Sequence, residues 1–418
     1  MLTKAEGEIT DAHSTAEAVA RRSYGKLVAF LAARTHDVAA AEDALSEAFA
    51  AALADWPENG CPSNPEAWLL TVARRRFIDM TRRQHSDSYV DVDLTQIAEV
   101  LQSTPSDTEI PDRRLALMFA CAHPAIDAAV RAPLILQVLL GFDAAAIASA
   151  FLMSPAAMSK RLVRAKIKIR EAGIPFRIPE REELGARLDT VLEAIYAAFA
   201  EGWIDAAGTD AARRDLTNEA IYLCRVVIEL LPSEPEALGL LALMLYAEAR
   251  RLARRGAEGE YIPLAAQNPT LWDRKMIDEA EALLRRASNF GVIGRYQLEA
   301  AVQSAHVERC RTGQANWESV LALYDTLYAL TGSPVVAINR ALCVAELSGP
   351  QAALAAMPDS SADARLALYQ PWWAARAELL ARTGAIDEAR HAYEVAIGLE
   401  RDPSVRRFLE RRQSALAS

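Results

Sequence analysis

The residues best placed to do chemistry in this sequence are cations. From Ser159 to Arg170 the chain carries Lys160, Arg161, Arg164, Lys166, Lys168 and Arg170, with no acid until Glu171. Met158, Leu162, Ala165 and Ile169 fall among them at i, i+4, i+7 and i+11, which is one apolar face of a helix. Ser154 and Pro155 supply the start, a hydroxyl at the N-cap and a proline at the first helical position. Upstream, Asp143 is an N-cap for a shorter helix over Ala144 to Phe151. Two short helices joined by a tight turn, the second one basic, predict a helix-turn-helix whose second helix enters a DNA major groove. Ala156, Ala157, Ser159 and Lys160 occupy the first turns, where base edges are read, and Arg164 and Lys168 continue the same side toward phosphates. Ser154 and Arg161 complete this candidate surface. An αα-hairpin with a solvated basic face has the same pattern.

A second cationic stretch lies earlier. Residues 74 to 83 hold five arginines against one aspartate. Trp68, Thr71, Arg75, Asp79 and Arg82 fall at i, i+3, i+7, i+11 and i+14, a stripe with an aromatic and two guanidiniums. Arg74 and Arg83 flank it. Aromatics beside arginines suit single-stranded DNA, because bases stack and phosphates pair. The alternative is a core tryptophan with solubilising arginines. Glu42, Asp43 and Glu47 form an acidic face on a helix beginning at the N-cap Asp37, and simple solvation also explains that face. No nucleotide-binding glycine loop, H-E-x-x-H or nucleophile elbow occurs, and the six histidines are dispersed. Cys121 and His123 are too few to hold a metal. No catalytic residue, metal or cofactor is expected.

The elements that must position these groups read as all-α. The chain has 418 residues, 52% of them apolar, with abundant alanine and few β-branched residues. There is no run of about 18 uncharged apolar residues, so no membrane span is expected. The N-terminal stretch is polar and acidic, without a signal-peptide core. Five scattered cysteines without C-x-x-C read as reduced thiols of a cytoplasmic protein. The net charge of −10 is unusual for a DNA binder, but it is unevenly spread: residues 85 to 112 hold seven acids and no Lys or Arg, between the two basic patches. This stretch reads as a flexible linker whose acids could cover the basic patches. Three helices are expected over 14–34, 37–56 and 65–83, then a supporting helix in DAAVRAPLILQVLLG, with Pro133 in its first turn or kinking it.

Together and in order, DVAAAEDALSEAFAAALADW, NPEAWLLTVARRRFIDMTRRQ and the Gly141-to-Arg170 run resemble the extracytoplasmic-function (ECF) sigma factors of bacterial RNA polymerase. The resemblance covers roughly residues 10 to 175. It implies a sigma region 2 bundle over 10–84, the acidic linker over 85–112 and a region 4 helix-turn-helix over 113–176. By position, Glu42, Asp43, Leu45, Glu47, Ala48 and Phe49 would dock on core polymerase. The helix carrying Trp68, Thr71, Arg74, Arg75, Asp79, Arg82 and Arg83 would open and read the −10 element, and the helix-turn-helix would read the −35 element. The family usually has Ala-Arg-Asn where this chain has Ala73-Arg74-Arg75. A helix-turn-helix regulator with a helical sensor, working without polymerase, is the competing class; it gives no reason for the Trp68-Arg75-Arg82 stripe.

Residues 180 to 418 are further helix. Trp373, Ala377, Leu380, Gly384, Ala389, Tyr393 and Ala396 match the tetratricopeptide spacing of large and small residues, and SPVVAINRALCVAELSGPQAALAAM is a poorer copy. An irregular α-solenoid of about five to seven hairpins is expected. The arrangement resembles an ECF subgroup with a tetratricopeptide-like domain behind region 4. The loop YIPLAAQNPTLWDR resembles a subgroup motif that is more acidic than Ala266-Gln267-Asn268. The solenoid would serve as an in-cis regulator, or bind a regulatory protein, through exposed Arg250, Arg251, Trp272, Arg274, Tyr296, Trp372 and Trp373, the last nearer the core.

Overall fold

The computed structural model describes residues 14–16, 19–20, 23–25, 27–28, 30–32, 38–84, 112–140, 142–171, 179–204, 211–361, 363 and 365–417. Among these residues the chain is all-helical, and the only pairing of extended backbone is an isolated bridge between Arg255 and Tyr261. The fold class expected from composition is the one observed. The acidic run from 85 to 111, Gly141 and Pro175 lie outside the described residues. The chain divides into two compact units, Met1–Glu201 and Gly202–Ser418.

In the first unit, helical residues between 14 and 32 pack with Val38–Asn59 and Pro65–Gln84. Their apolar stripes meet in a core that includes Val28, Leu45, Ala48, Ala52, Trp56, Leu69 and Ala73. Asn64 starts the third helix, its carboxamide oxygen accepting from the Ala67 N–H at 3.1 Å. Arg113–Cys121 begins at Asp112, whose carboxylate accepts from the N–H groups of Arg114 and Leu115. The expected supporting helix is Ala128–Leu140, and it is almost wholly buried. Pro133 sits in its second turn rather than its first. Gly25 is the point of closest approach to this helix, since a Cβ there would stand 2.3 Å from the Leu139 carbonyl oxygen. Only a residue without a side chain fits that crossing.

The helix Arg181–Ile204 runs across the boundary between the units. Its Arg187 is 2% exposed, donating to the Phe119 carbonyl at 3.1 Å and to Glu183 at 3.1 Å. The second unit continues as successive helices from Ala211–Leu230 to Pro403–Ser414. Prolines open many of them and left-handed glycines close three, Gly313, Gly332 and Gly384. The pair Gln370–Thr383 and Ile386–Leu399 packs through Ala377, Leu380, Ala389, Tyr393 and Ala396, five of the positions read from sequence spacing. Pro235–Glu248 is the central helix, buried on all sides from Ala237 to Ala247. The loop after it makes three short 3-10 turns before Arg274–Ser288. That loop meets the last helix of the unit, with Ser404 Oγ donating to the Gly259 carbonyl at 2.9 Å and Tyr261 edge-on to Phe408 at 5.4 Å.

The solvent-facing surface expected on this unit needs correction. Arg250, Trp272, Tyr296 and Trp372 are all buried, at 4 to 7% exposure. Arg251 and Trp373 are half-buried and Arg274 is exposed. Trp372 is the deeper of the tryptophan pair, and both indole N–H groups donate to loop carbonyls, Pro358 and Ala367, at 3.0 Å.

Candidate polymerase and promoter surfaces

The helix-turn-helix is built from local rules. Asp143 accepts from the Ala146 N–H at 2.7 Å and opens Ala144–Ala150. The turn reverses through Leu152, whose φ of 51° is a left-handed conformation held by the Met153 N–H on the Ala148 carbonyl. Ser154 Oγ then accepts from the Ala157 N–H at 3.3 Å, and Pro155 opens the second helix, Pro155–Glu171. Met158 and Leu162 are buried, while Ala165 and Ile169 are half-buried. The opposite face presents Ser154, Ala156, Ala157, Ser159, Lys160, Arg161, Arg164 and Lys168, every one exposed. The structure therefore brings this whole predicted set onto one surface, small residues first and cations after. Small side chains at the helix start allow close approach to base edges, and the later cations suit phosphates. Val163 and Ile167 are also exposed, at 54% and 41%, an apolar element that periodicity did not single out.

Lys166 behaves differently from its neighbours. Its ammonium donates to Glu42 at 2.6 Å, and both side chains are largely covered, at 22% and 14% exposure. A cation of the basic helix is thus held by an acid of the Val38–Asn59 helix. Sequence spacing within one helix carries no signal for a pair 124 residues apart.

The acidic face divides along the same line. Asp43 and Glu47 are exposed, and Glu47 lies 3.6 Å from Arg76. Glu42 faces inward, where it acts on the half-buried Tyr24 and the buried Cys121. Burial first, and Glu42 second, push the Tyr24 phenol and the Cys121 thiol each up to about 12. Leu45 and Ala48, expected on the docking face, have no exposed surface; they anchor the helix in its bundle. Phe49 is half-buried against Tyr24 at 6.0 Å.

On Pro65–Gln84, Trp68 is half-buried and lies edge-on to the buried Trp56 at 5.5 Å. It supports the bundle with one edge while keeping exposed surface. The Thr71 hydroxyl donates to the Ala67 carbonyl of its own helix at 2.8 Å. Arg74 is half-buried and Arg75 exposed. Asp79, Arg82 and Arg83 lie on the last turns, and their side chains fall outside the described residues.

No group of three or more metal-ligating side chains occurs among the described residues. His123 Nδ1 accepts from the Ala125 N–H at 3.1 Å, closing a turn. Among the described residues no helix is long and apolar enough to cross a membrane.

Comparison with known proteins bears on both units. Residues 19–86 match the model of sigma-70 region 2, and residues 187–288 match a family of unknown function (DUF6596). A protein of Rhizobium meliloti (strain 1021), described as uncharacterized, is 37% identical over 383 residues, 90% of each chain. No solved structure matches the chain.

Proposed function

The chain belongs to the family of that Rhizobium meliloti protein and carries a sigma-70 region 2, the part of a sigma factor that engages core polymerase and promoter DNA; from this premise we propose that it is an ECF-type sigma factor. The observation that carries this reading is the region 2 match over 19–86, followed in the same unit by an exposed basic helix opened by Ser154 and Pro155. In this reading Asp43, Glu47 and Phe49 meet core enzyme, Glu42 joins them once released by Lys166, and Leu45 and Ala48 support them from beneath. Trp68, Arg74 and Arg75, with Thr71, Asp79, Arg82 and Arg83 along the same helix, engage melted −10 DNA. The face from Ser154 to Lys168 reads the −35 duplex. The reading assigns the chain no catalytic step of its own, and its place of action is the cytoplasm, where polymerase is.

The helical second unit is read as a tetratricopeptide-like domain that regulates the first in cis. In vitro transcription with bacterial core polymerase and a promoter library tests the whole. Full-length protein should select promoters sharing two elements at fixed spacing. Failure of the purified chain to associate with core enzyme would falsify the sigma assignment and leave a polymerase-independent helix-turn-helix regulator. The regulatory role is tested by truncation after Ile204, not at 180. A cut at 180 removes Arg187 from beneath the Phe119 carbonyl and damages the first unit itself. Unchanged promoter use after the longer truncation would reject regulation in cis.

A further inference from the structure

Four arginines lie within six residues, Arg250, Arg251, Arg254 and Arg255, and the fold turns them inward. Two are neutralised. Arg251 pairs with Glu248 at 2.7 Å, and Arg255 pairs with Asp402 through Nη2. Among the described residues the other two have only neutral partners. Arg250 donates to the Tyr246 carbonyl and to Gln303 Oε1 at 2.9 Å. Arg254 donates to the Trp203 carbonyl at 2.7 Å and lies 3.4 Å from the centroid of that indole ring. Among the described residues no carboxylate acts on either: burial pushes both guanidiniums down to about 10, and the charged groups around Arg254 are mostly the other arginines. Both stay cationic at neutral pH.

Unsatisfied polar atoms collect in the same place. Of nine buried side-chain nitrogens and oxygens without a hydrogen-bond partner among the described residues, five belong to this loop or to the ring beneath it, and four of these five are N–H donors. They include Arg255 Nε and Nη1 and the indole nitrogen of Trp272. Asp273 N–H on the Ala249 carbonyl, at 2.9 Å, brings the Trp272 end of the loop against Arg250. Tyr261, bridged to Arg255, is within reach of Arg254, Arg255 and Arg250. Buried charges are ordinarily paired, and a buried unsatisfied donor costs about 1–3 kcal/mol. A cluster of both kinds lacks a counter-ion.

We propose that the cluster of Arg250, Arg254, Arg255 and Tyr261 is a binding site for a phosphate group. The charge balance selects phosphate over carboxylate. Two unneutralised guanidiniums match an anion of nearly two negative charges at neutral pH, and guanidiniums hold its oxygens in bidentate pairs. Arg254 is half-buried, which leaves an approach from solvent, whereas Arg250 is too deep for a DNA backbone. The site ties the central loop to the last helix through Asp402, so the ligand would brace the closure of the second unit. This inference does not depend on the sigma reading.

The test uses the full chain and inorganic phosphate. Millimolar phosphate should raise the thermal unfolding midpoint by about 2–4 °C over chloride or acetate at equal ionic strength. Calorimetry should give one phosphate per chain. Arg250→Gln with Arg254→Gln should abolish both effects without lowering stability in chloride, because it removes uncompensated charge. Arg311→Gln, an exposed position in the same unit, should keep them. If the double variant does not fold, Arg254→Gln alone carries the comparison. Glycerol phosphate that competes for the site would identify an ester as the occupant, and failure to compete would identify the free ion. A wild-type chain indifferent to phosphate, or a variant that still responds, overturns the proposal.

Discussion

The molecule displays cationic side chains in two opposite ways. Pro155–Glu171 carries six of them along one helix, and Lys160, Arg161, Arg164 and Lys168 stand in solvent. At 250–255 four arginines crowd a loop and turn inward, where among the described residues two meet carboxylates and two do not. In the sequence the two clusters look alike. Their physics is not: exposed cations keep their hydration and act through salt-dependent attraction, while buried ones must find partners inside the fold. The first arrangement suits a large, flat polyanion, the second a small ion held in a fixed place.

The comparison is broken most severely at Arg251. Its pair with Glu248 is nearly buried, at 11% and 13% exposure, and Arg251 also donates to Thr217 at 3.0 Å. Arg251→Ala strands Glu248 and should cost about 3–5 kcal/mol in chemical denaturation. Arg164→Ala, on the exposed cluster, should cost under about 0.5 kcal/mol. Equal losses would show that the two clusters are not different in kind.

A pH titration probes the buried side next. Burial, then Arg309 and Arg250, push the His306 imidazole down to about 4, against an ordinary value of 6.5. The folded chain keeps His306 neutral while the unfolded chain takes up a proton. This contribution is therefore fully present above about pH 6.5 and is lost as the pH falls toward 4, to a limit of about 3 kcal/mol. His306→Gln should flatten that part of the stability profile. A profile unchanged by the substitution would mean that His306 is not held neutral by its surroundings.

These contrasts mark what was legible in the sequence. Asp143, Ser154 and Pro155 were readable because capping is settled within four residues. The eight exposed positions from Ser154 to Lys168 were readable because Met158 and Leu162 fix the helix face. Leu45 and Ala48 fall on the helix's apolar stripe by spacing and were assigned to docking only by position in the resemblance, which does not separate residues that touch a partner from those that support them. Arg250, Trp272 and Tyr296 were misplaced for a different reason. Their burial depends on partners far along the chain, as Gln303 is for Arg250 and Glu236 for the Tyr296 N–H, and such pairs leave no period behind. Gly25 was unremarkable in sequence and is explained only by the Leu139 carbonyl beside it.

Lys166 belongs to the exposed cluster by sequence and to the buried class by contact, so it sharpens the comparison from within one helix. Lys166→Gln should cost about 1–2 kcal/mol, less than Arg251→Ala because a neutral donor still reaches Glu42. It should also make stability less sensitive to charge at Glu42. In the proposed function the same substitution exchanges an ion pair for a neutral hydrogen bond, so it loosens the hold on Glu42 and should tighten association with core polymerase in a pull-down titration. Weaker association would place Glu42 outside the docking face.

The smallest effect on stability should accompany the clearest effect on function. Arg164→Gln with Lys168→Gln removes two exposed cations. Denaturation should move by under about 0.5 kcal/mol. Duplex binding is another matter. Each phosphate contact releases condensed counter-ions, worth about 0.9 in the slope of log affinity against log salt, so two lost contacts should flatten that slope by about 2. The loss should be nearly the same for every promoter sequence, since phosphates carry no base identity. Ser159→Ala, near the helix start, should leave the slope alone and change preference among −35 sequences. If the double variant instead altered sequence preference and kept the wild-type slope, Arg164 and Lys168 would be touching bases, and the helix would lie deeper in the groove than its run of small residues followed by cations implies.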